Sequence, residues 1–419
     1  MAEISADLVI LSNGPGELST WVRPVLQALM AQPRFSRVSI LLSPCPHAGG
    51  NEVTLAAAFP GVDRVLAPQQ FFFFLLWGKT PNAWQWHQQG VVVFLGGDQF
   101  YAVAIGRRLG YRIVTYAEWT PRWLPWLDHC GVAQPQILQK VPRRYRSKIT
   151  VVGHLMADIQ PDSVPLLDRL GWTPETEIVG LLPGSKPAKL RVGMPFCLAI
   201  ADQLHPQRPQ TQFVIPVAPG VTTTSLIEYA SQNLRPLDSS VSVSQHQAKQ
   251  GLVALRTQQG TPIWLWTESP AYPLLKHCQV CVTTVGANTA ELAALAVPML
   301  VLIPTQYLDA MRAWDGLLGV IANAPWVGKF VATFVNRITL WRGLGLRAWP
   351  NIWAQEEIVP EYVGHIHPDD IAQRIDQLLK DPARLHQLQA NLRTVCGEQE
   401  AITRFVQLIY MALENRDMA

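Results

Sequence analysis

Short apolar runs that end in glycine or small polar residues recur along the chain, and a longer segment with helical periodicity follows each of them. The runs predict buried strands, and their alternation with helices predicts repeated β-α units and therefore parallel sheets. In the first half the predicted strands are Asp7 to Leu11, Val38 to Leu42, Val91 to Leu95, Arg112 to Tyr116 and Ile149 to Val152. In the second half they are Glu177 to Leu182, Gln212 to Val217, Thr261 to Trp266, Gln279 to Thr283 and Met299 to Ile303. The pattern therefore predicts two sheets of similar size.

The boundary between the two halves is marked by Pro161 and Pro165, which interrupt the pattern after Val152-Gly153-His154. The expected organisation is an N-terminal domain at 1–160, a second domain at 161–365 and C-terminal helices at 366–419. Ligands of open parallel sheets bind beyond the carboxyl ends of the strands. Two facing sheets of this kind are therefore expected to form a cleft in which two substrates meet.

Composition narrows the functional classes. The chain has 419 residues, 48% hydrophobic and 16% charged, with 34 basic against 31 acidic side chains. This composition predicts a folded protein and gives no case for a general nucleic-acid binder. No signal peptide is expected at the start of this sequence, and scattered cysteines favour a reducing cytoplasm. Cys278 and Cys281 form a C-x-x-C inside an apolar run, where buried strand cysteines are favoured over zinc or redox chemistry.

The strongest local motif runs from Val282 to Glu291, where an apolar strand ends and a helix begins after a small-residue turn. Free N–H groups and the dipole of a helix start can hold a diphosphate, and Glu291 could accept hydrogen bonds from a ribose. An ordinary capped helix remains the alternative. The residues assigned to this site are Gly286, Ala287, Asn288, Thr289 and Glu291.

A second strand-to-loop motif is Pro183-Gly184-Ser185-Lys186, followed by Lys189 and Arg191. Gly184 would let the backbone approach a phosphate, and Lys186 would supply a cation. The spacing is not that of a Walker loop, and an ordinary Pro-Gly turn with solvated lysines is the alternative.

In the first half, Asp98 follows a buried strand and the glycine pair Gly96-Gly97. It could serve as a general base for an acceptor hydroxyl or as the N-cap of the next helix. Glu17, in the glycine-containing loop after the first strand, is a second catalytic candidate. The chain contains no D-x-D and no histidine-carboxylate cluster, so neither a metal nor another cofactor is expected.

An apolar segment runs from Phe71 to Trp77 and is far shorter than the roughly 18 residues needed to span a bilayer. A later stretch, Gly316 to Gln355, lacks acidic residues and interleaves basic with aromatic side chains. Both predict peripheral contact with an anionic membrane, while core helices are the alternative. The residues assigned to lipid contact are Phe71, Phe72, Phe73, Phe74, Leu75, Trp77, Arg337 and Arg342.

Taken in order, several segments resemble the lipid-A-disaccharide synthase family. They are Gly96-Gly97-Asp98 with Tyr116, Val152 to Asp158, Leu182 to Lys186, Gly286 to Ala294, and Pro350 to Glu361. Several separate motifs that occur in the family's order over most of the chain indicate the family more specifically than any single motif does.

The resemblance implies a GT-B fold, with two facing Rossmann-like domains and a C-terminal helical tail, and an inverting, metal-independent glycosyltransferase. It implies a UDP-linked sugar donor, a lipid-linked acceptor in lipid A biosynthesis, and a cytoplasmic location peripheral to the inner membrane. It aligns Asp98 with the catalytic base and the Gly286 helix start with the UDP site, and it adds Asn351 to the UDP-sugar site. A homodimer is left open.

The chain departs from the family pattern at two places. Lys186 and Lys189 stand where the family normally has arginine and glutamate, and Asn13 to Glu17 replaces an opening G-E-x-S-G-D. These changes leave open a UDP-sugar-binding regulator without turnover. A UDP-sugar epimerase of the same fold is the other alternative, and the apolar segments argue against it. The identity of the sugar, of its acyl chains and of the acceptor is also left open.

Overall fold

A computed structural model describes residues 5–45, 50–158, 166–231, 244–249, 252–307, 345–397 and 400–414. The chain divides into two compact units, Met1–Ile159 with Gly397–Ala419, and Gln160–Cys396. The described residues of each unit have a hydrophobic core of their own.

The first unit contains a parallel sheet flanked by helices. Its strands are β1 (Ala6–Ser12), β2 (Arg37–Leu42), β3 (Arg64–Leu66), β4 (Gln89–Phe94), β5 (Arg112–Ala117), β6 (His129–Val132) and β7 (Ile149–Val151). Its first helices are α1 (Pro15–Glu17), α2 (Arg23–Ala31), α3 (Glu52–Ala57), α4 (Pro68–Trp77), α5 (Gln99–Leu109) and α6 (Pro135–Lys140). The strand order is β3-β2-β1-β4-β5-β6-β7, so the order reverses between β1 and β4. Every residue of β1 is buried because helices cover both faces of a parallel sheet.

The second unit repeats this plan and adds an antiparallel edge. Its strands are β8 (Ile178–Leu182), β9 (Gln212–Pro216), β10 (Ser244–Lys249), β11 (Leu252–Arg256), β12 (Pro262–Trp266), β13 (Val280–Thr284), β14 (Met299–Pro304) and β15 (Glu361–Gly364). The order is β10-β11-β12-β9-β8-β13-β14-β15, with β10 and β11 antiparallel to their neighbours. Here the order reverses between β8 and β13.

Helices surround the second sheet and complete the chain. They are α7 (Leu166–Leu170), α8 (Pro187–Leu204), α9 (Thr223–Ala230), α10 (Tyr272–Leu275), α11 (Ala287–Ala294), α12 (Trp349–Ala354), α13 (Pro368–Leu379), α14 (Pro382–Cys396) and α15 (Ala401–Glu414). The predicted C-terminal helical segment is divided, because α13 and α14 lie in the second unit and α15 lies in the first.

Helix α15 is anchored in the first unit by its apolar face and its first backbone amide. Phe405 is fully buried and packs edge-on against Tyr116, with ring centroids 5.9 Å apart. The Ile402 N–H donates to a carboxylate oxygen of Asp158 at 2.7 Å. The last helix of the chain therefore belongs to the core of the first sheet.

The predicted fold class, two Rossmann-like parallel sheets with C-terminal helices, is confirmed. All ten predicted strands are present with ends shifted by two residues at most. Cys278 and Cys281 are buried beside β8, where a Cβ on Gly180 would lie 2.4 Å from the Cys281 sulfur. The prediction of buried cysteines is therefore confirmed.

Candidate functional site

Two of the predicted loops meet where the strand order of the second sheet reverses. Strands β8 and β13 are parallel neighbours, with Leu182 beside Thr283. The loop after β8 carries Gly184 and the loop after β13 carries Gly286. Ligands of open α/β sheets bind at this position, so the fold places both predicted phosphate loops at one ligand-binding edge.

The turn after β8 depends on a glycine for both conformation and space. Gly184 has φ +110°, and a Cβ there would lie 2.8 Å from the Cβ of Lys189. Ser185 is exposed, and Lys186 occupies the N-cap of α8 without a side-chain cap hydrogen bond. Neither the Ser185 hydroxyl nor the Lys186 ammonium caps the helix, so both groups remain available to a ligand.

The start of α11 offers backbone donors. No side chain caps this helix at Gly286, and its first N–H groups, those of Ala287 and Asn288, have no carbonyl one turn earlier to bond. The Asn288 side-chain amide donates to the Thr283 hydroxyl instead. These amides form the kind of helix start that can bind a phosphate.

Two residues assigned to the UDP-sugar site have structural roles instead. The Thr289 hydroxyl is fully buried, donates to the carbonyl of Gly286 at 2.9 Å and accepts from the Trp349 N–H at 3.1 Å. It joins α11 to α12 and has no surface for a ligand. The Thr289 side chain is therefore not available to a ligand, and the assignment of this helix-start position to the UDP-sugar site stays a prediction.

Asn351 is also fully buried, and its amide is saturated. Its nitrogen donates to the Val359 carbonyl and to Glu361 at 2.8 Å each, and its oxygen accepts from the N–H groups of Ile358 and Val359 at 2.9 Å each. An amide side chain has two donor hydrogens and two acceptor lone pairs, so no capacity is left for a sugar. Asn351 closes the loop before β15.

Glu291 lies one turn into α11 and is part-buried. One of its carboxylate oxygens accepts a hydrogen bond from the Tyr272 hydroxyl at 2.9 Å. Burial raises the pKa of Glu291, and this hydrogen bond opposes the shift. The second oxygen has no partner among the described side chains, so the ribose role stays a prediction.

Lys189 is a residue of this edge that the sequence analysis did not assign to the site. Its ammonium donates to the carbonyl oxygen of Val285 at 2.6 Å, although it lies in the first turn of α8. Burial, followed by repulsion from Lys186, lowers its pKa to about 8. Lys189 and Val285 are 96 residues apart in the chain, so no local pattern indicated their contact.

The first unit has a corresponding arrangement at its own point of strand reversal. Glu17 follows β1 and Asp98 follows β4, and these two strands are parallel neighbours. A Cβ on Gly96 would lie 3.2 Å from the Glu17 Cγ, and one on Gly97 would lie 2.6 Å from the Ser43 hydroxyl oxygen. Because both glycines lack a Cβ, the loop after β4 packs closely against the segments that follow β1 and β2.

Asp98 caps helix α5. It is exposed, and its Oδ1 accepts a hydrogen bond from the Phe100 N–H at 2.9 Å. This is the capping alternative raised from the sequence. The cap occupies one carboxylate oxygen, and the role of Asp98 as a base stays a prediction.

A histidine-carboxylate pair lies at the same edge of the first sheet. Glu118 follows β5 and His154 follows β7, and both are buried with 3.6 Å between Oε1 and Nδ1. The Gln134 amide lies 3.2 Å from the other ring nitrogen. His154 lies in the segment from Val152 to Asp158, for which the sequence predicted no individual role, and only the strand order shows that Glu118 is near it.

No family model matches the chain. Among curated proteins, it is 26% identical over 308 residues to a lipid-A-disaccharide synthase of Geobacter sulfurreducens, covering 70% of this chain and 65% of that protein. It is 26% identical over 237 residues to one of Hydrogenovibrio crunogenus, covering 55% of this chain and 49% of that protein. The predicted resemblance to lipid-A-disaccharide synthases is confirmed. The chain's matches span only about half to two thirds of these relatives.

The chain also resembles solved structures of low sequence identity. A UDP-N-acetylglucosamine 2-epimerase of Neisseria meningitidis, bound to UDP-GlcNAc, has a TM-score of 0.52 and 11% identity, with 97% of this chain and 100% of that chain covered. A putative one from Listeria monocytogenes has a TM-score of 0.52 and 13% identity, with 100% and 99% covered. The chain therefore has the GT-B fold.

Helix α4 divides the predicted lipid-contacting residues into two sets. Phe71 and Phe74 are fully buried in the core of the first unit, because positions three apart lie on one face of a helix. Leu75 is partly buried against the same core. The assignment of Phe71 and Phe74 to lipid contact is therefore wrong. Phe72, Phe73 and Trp77 are exposed, as is Leu76.

A second exposed aromatic group, which was not predicted, lies near the start of α5. Phe100 packs against Trp123 at 5.0 Å between ring centroids, and Trp123 packs against Trp126 at 5.6 Å. All three are exposed. Phe100 is far in sequence from Trp123 and Trp126, so no local pattern connected it with them.

The later basic-aromatic stretch lies mostly outside the described residues. Arg337 and Arg342 fall between 308 and 344 and are not described. Of the described part, Trp353 is buried in α12 and packs 6.0 Å from Trp349. Among the helices that the structure describes, none is both long and apolar enough to cross a membrane.

Proposed function

We propose that the protein is an inverting glycosyltransferase that moves a sugar from a UDP-linked donor to a lipid-linked acceptor. One observation supports this most directly: both sheets place glycine-containing loops with charged residues at the point where the strand order reverses. The relatives named lipid-A-disaccharide synthase support the same reaction class.

The second unit would bind the UDP part of the donor. The turn from Gly184 to Lys186 and the free amides at the start of α11 would contact the diphosphate, and Glu291 the ribose. Such a site neutralises phosphate charge with a lysine and a helix start. We therefore expect UDP binding to persist in excess chelator.

Asp98 would accept the proton of the acceptor hydroxyl. The hydroxyl oxygen would then form a bond to the anomeric carbon from the side opposite to UDP, while the bond from that carbon to the diphosphate oxygen breaks. The charge on the departing UDP would be stabilised by Lys186 and the start of α11. Glu17, which packs on Gly96, is the second candidate for the base.

Asp98→Asn tests this role without removing the helix cap, since asparagine and aspartate cap helices about equally well. We expect the rate of transfer to fall by about 100-fold to 10,000-fold, as for loss of a general base, with UDP affinity little changed. The rate of transfer is measured as the release of UDP from a UDP-linked acylated glucosamine, with and without membrane lipid extract. A folded Asn variant with near wild-type transfer would identify Asp98 as a cap only.

An epimerase acting on soluble UDP-sugar is the second candidate, because two of the solved structures with this fold are described as UDP-N-acetylglucosamine 2-epimerases. Epimerisation needs no acceptor. Conversion of UDP-GlcNAc to an epimer without added lipid, by wild type but not by Asp98→Asn, would replace the transferase proposal. A chain that binds UDP but performs neither reaction would support a binding regulator.

The protein would bind its lipid substrate while peripheral to an anionic membrane, as expected for the inner membrane. The exposed side chains of α4 and the second aromatic group supply apolar contacts. Between Arg64 and Ala117 the sequence has five basic residues and one acidic residue, Asp98. One of the basic residues, Arg108, donates to the last carbonyls of α4, at 3.1 Å from Leu75 and 2.9 Å from Leu76. This combination suits an anionic lipid surface.

A further inference from the structure

The ammonium of Lys189 bridges the two loops of the second sheet. It donates to Val285, the residue before Gly286, and a Cβ on Gly286 would lie 3.7 Å from it. Its methylene stem lies across the turn at Gly184. The charge therefore lies beside the first free amides of α11 and is brought there by a residue of α8.

This charge has no counter-ion among the described residues. Its only hydrogen-bond partner there is the neutral carbonyl of Val285, which takes one of its three donor hydrogens. No carboxylate of the described chain forms an ion pair with it, and Lys186 is the charged group that acts on it. A part-buried cation beside a second cation and the positive end of a helix is unfavourable unless an anion binds there.

A small cavity lies beside the group. It is lined mainly by apolar side chains of α8 and the sheet, among them Val192, Phe196 and Leu302, so a diphosphate would lie on the loops beside it and not inside it. The ammonium itself lies beside Val285 and Gly286, at the edge of the sheet where the loop after β13 begins. We propose that Lys189 binds the diphosphate of the nucleotide directly. This assignment rests on the proposed UDP site.

The test compares UDP with uridine, which lacks the phosphates, by calorimetry in excess chelator at about pH 7. Lys189→Met should weaken UDP binding by about 10-fold to 100-fold, the usual effect of losing a hydrogen bond to a charged group. It should leave uridine binding unchanged. Lys189→Arg should retain most UDP affinity because it keeps the charge. Arg191→Met, an exposed cation of the same helix, should change UDP affinity by less than about 2-fold.

The outcomes separate this inference from the proposed function. Unchanged UDP affinity in Lys189→Met would overturn the role of Lys189 and leave the UDP site standing. Equal loss of UDP and uridine binding would identify Lys189 as a structural bridge between the loops and would also overturn it. A wild-type protein that binds neither compound would overturn the proposed UDP site itself.

Discussion

At the residue scale, the candidate sites depend on a few positions where space or charge is unusual. Gly96 and Gly97 have φ +136° and +96°, a region that favours glycine, and they also leave room for Glu17 and Ser43. Thr289 and Asn351 show the opposite case, because their polar atoms are used up inside the unit. A side chain in a motif can therefore bind a ligand only where its hydrogen-bonding groups are not already used within the unit.

Lys189 predicts a pH dependence of UDP binding. Its pKa is lowered to about 8, so the ammonium is charged below that pH and neutral above it. An anion favours the charged form, and UDP affinity should therefore fall as pH rises above about 8, by at most about 10-fold per pH unit. Calorimetry at several values from about pH 6.5 to about 9.5 measures this.

Lys189→Arg is the control for that profile, since guanidinium stays charged throughout this range. The other charged groups near this edge, Lys186 and the Tyr272-bonded Glu291, are the same in both proteins. The difference between the two profiles therefore reports the titration of Lys189. Parallel profiles would show that its titration does not affect UDP binding.

At the element scale, strand β1 is held at its start by a buried carboxylate. Asp7 is fully buried and accepts hydrogen bonds from Arg37 of β2 at 2.7 and 2.9 Å, from the Tyr111 hydroxyl at 2.6 Å and from the His87 N–H at 2.7 Å. Burial alone would raise the pKa of Asp7, but these hydrogen bonds lower it below its ordinary value. One side chain thus links β1 to segments on both sides of it.

Asp7→Ala should destabilise the first unit by about 3 kcal/mol or more, because it leaves Arg37 and Tyr111 without their buried partner. Hydrogen exchange of peptides covering β1 and β2 should accelerate. Glu400→Gln, which removes an exposed ion pair with Arg404, is the control and should change stability by about 1 kcal/mol at most. Equal effects of the two substitutions would contradict the role given to Asp7.

The sign of the pH effect follows from the lowered pKa. Stability from Asp7 is fully present above the pKa of the unfolded chain, about 3.9, and is lost as pH falls through the lower pKa of the folded state. The protection of β1 amides in the wild-type protein, corrected for the intrinsic exchange rate at each pH, should therefore fall in acid, below about pH 4. In Asp7→Ala this acid-dependent part should be missing.

At the scale of the whole molecule, the two units share one plan. In each sheet the parallel part reverses its strand order once, between β1 and β4 or between β8 and β13, and each unit carries candidate ligand residues at that reversal. The exposed aromatic side chains of α4 and the second aromatic group all belong to the first unit. From this distribution we propose that the second unit binds the nucleotide and that the first unit binds the lipid.

Membrane association can be tested by flotation with vesicles of neutral or anionic lipid. We expect flotation with anionic vesicles that weakens at high salt, since each basic residue near such a surface contributes about 1 kcal/mol. Combined replacement of Phe72, Phe73 and Trp77 by Ser should reduce it further. Replacement of Val363 and Met411, exposed apolar residues elsewhere, by Ser is the control.

Equal flotation with neutral and anionic vesicles would remove the electrostatic part of this proposal. Absence of flotation with both would remove the membrane contact altogether. If the control variant lost as much flotation as the α4 variant, binding would reflect general apolar exposure rather than this surface.

The sequence by itself determined the strands that carry the fold. Apolar runs such as Val91 to Leu95 are readable because central strands of parallel sheets are buried on both faces. The strands that escaped prediction are short or lie at edges, such as β3, β6 and β15, or form the antiparallel pair β10 and β11. Edge strands such as β3 and β15 can be short or partly polar because fewer neighbours cover them, and β6, which is paired on both sides, has only four residues.

The sequence also determined which loops could bind phosphate, since glycine, lysine and a helix start have the same local chemistry in any fold. Only the tertiary structure decided which side chains remain available. It buried Phe71, Phe74, Thr289 and Asn351, and it brought Lys189 to Gly286 across the boundary between β8 and β13. Burial and proximity depend on contacts between residues far apart in the chain, and no local pattern encodes them.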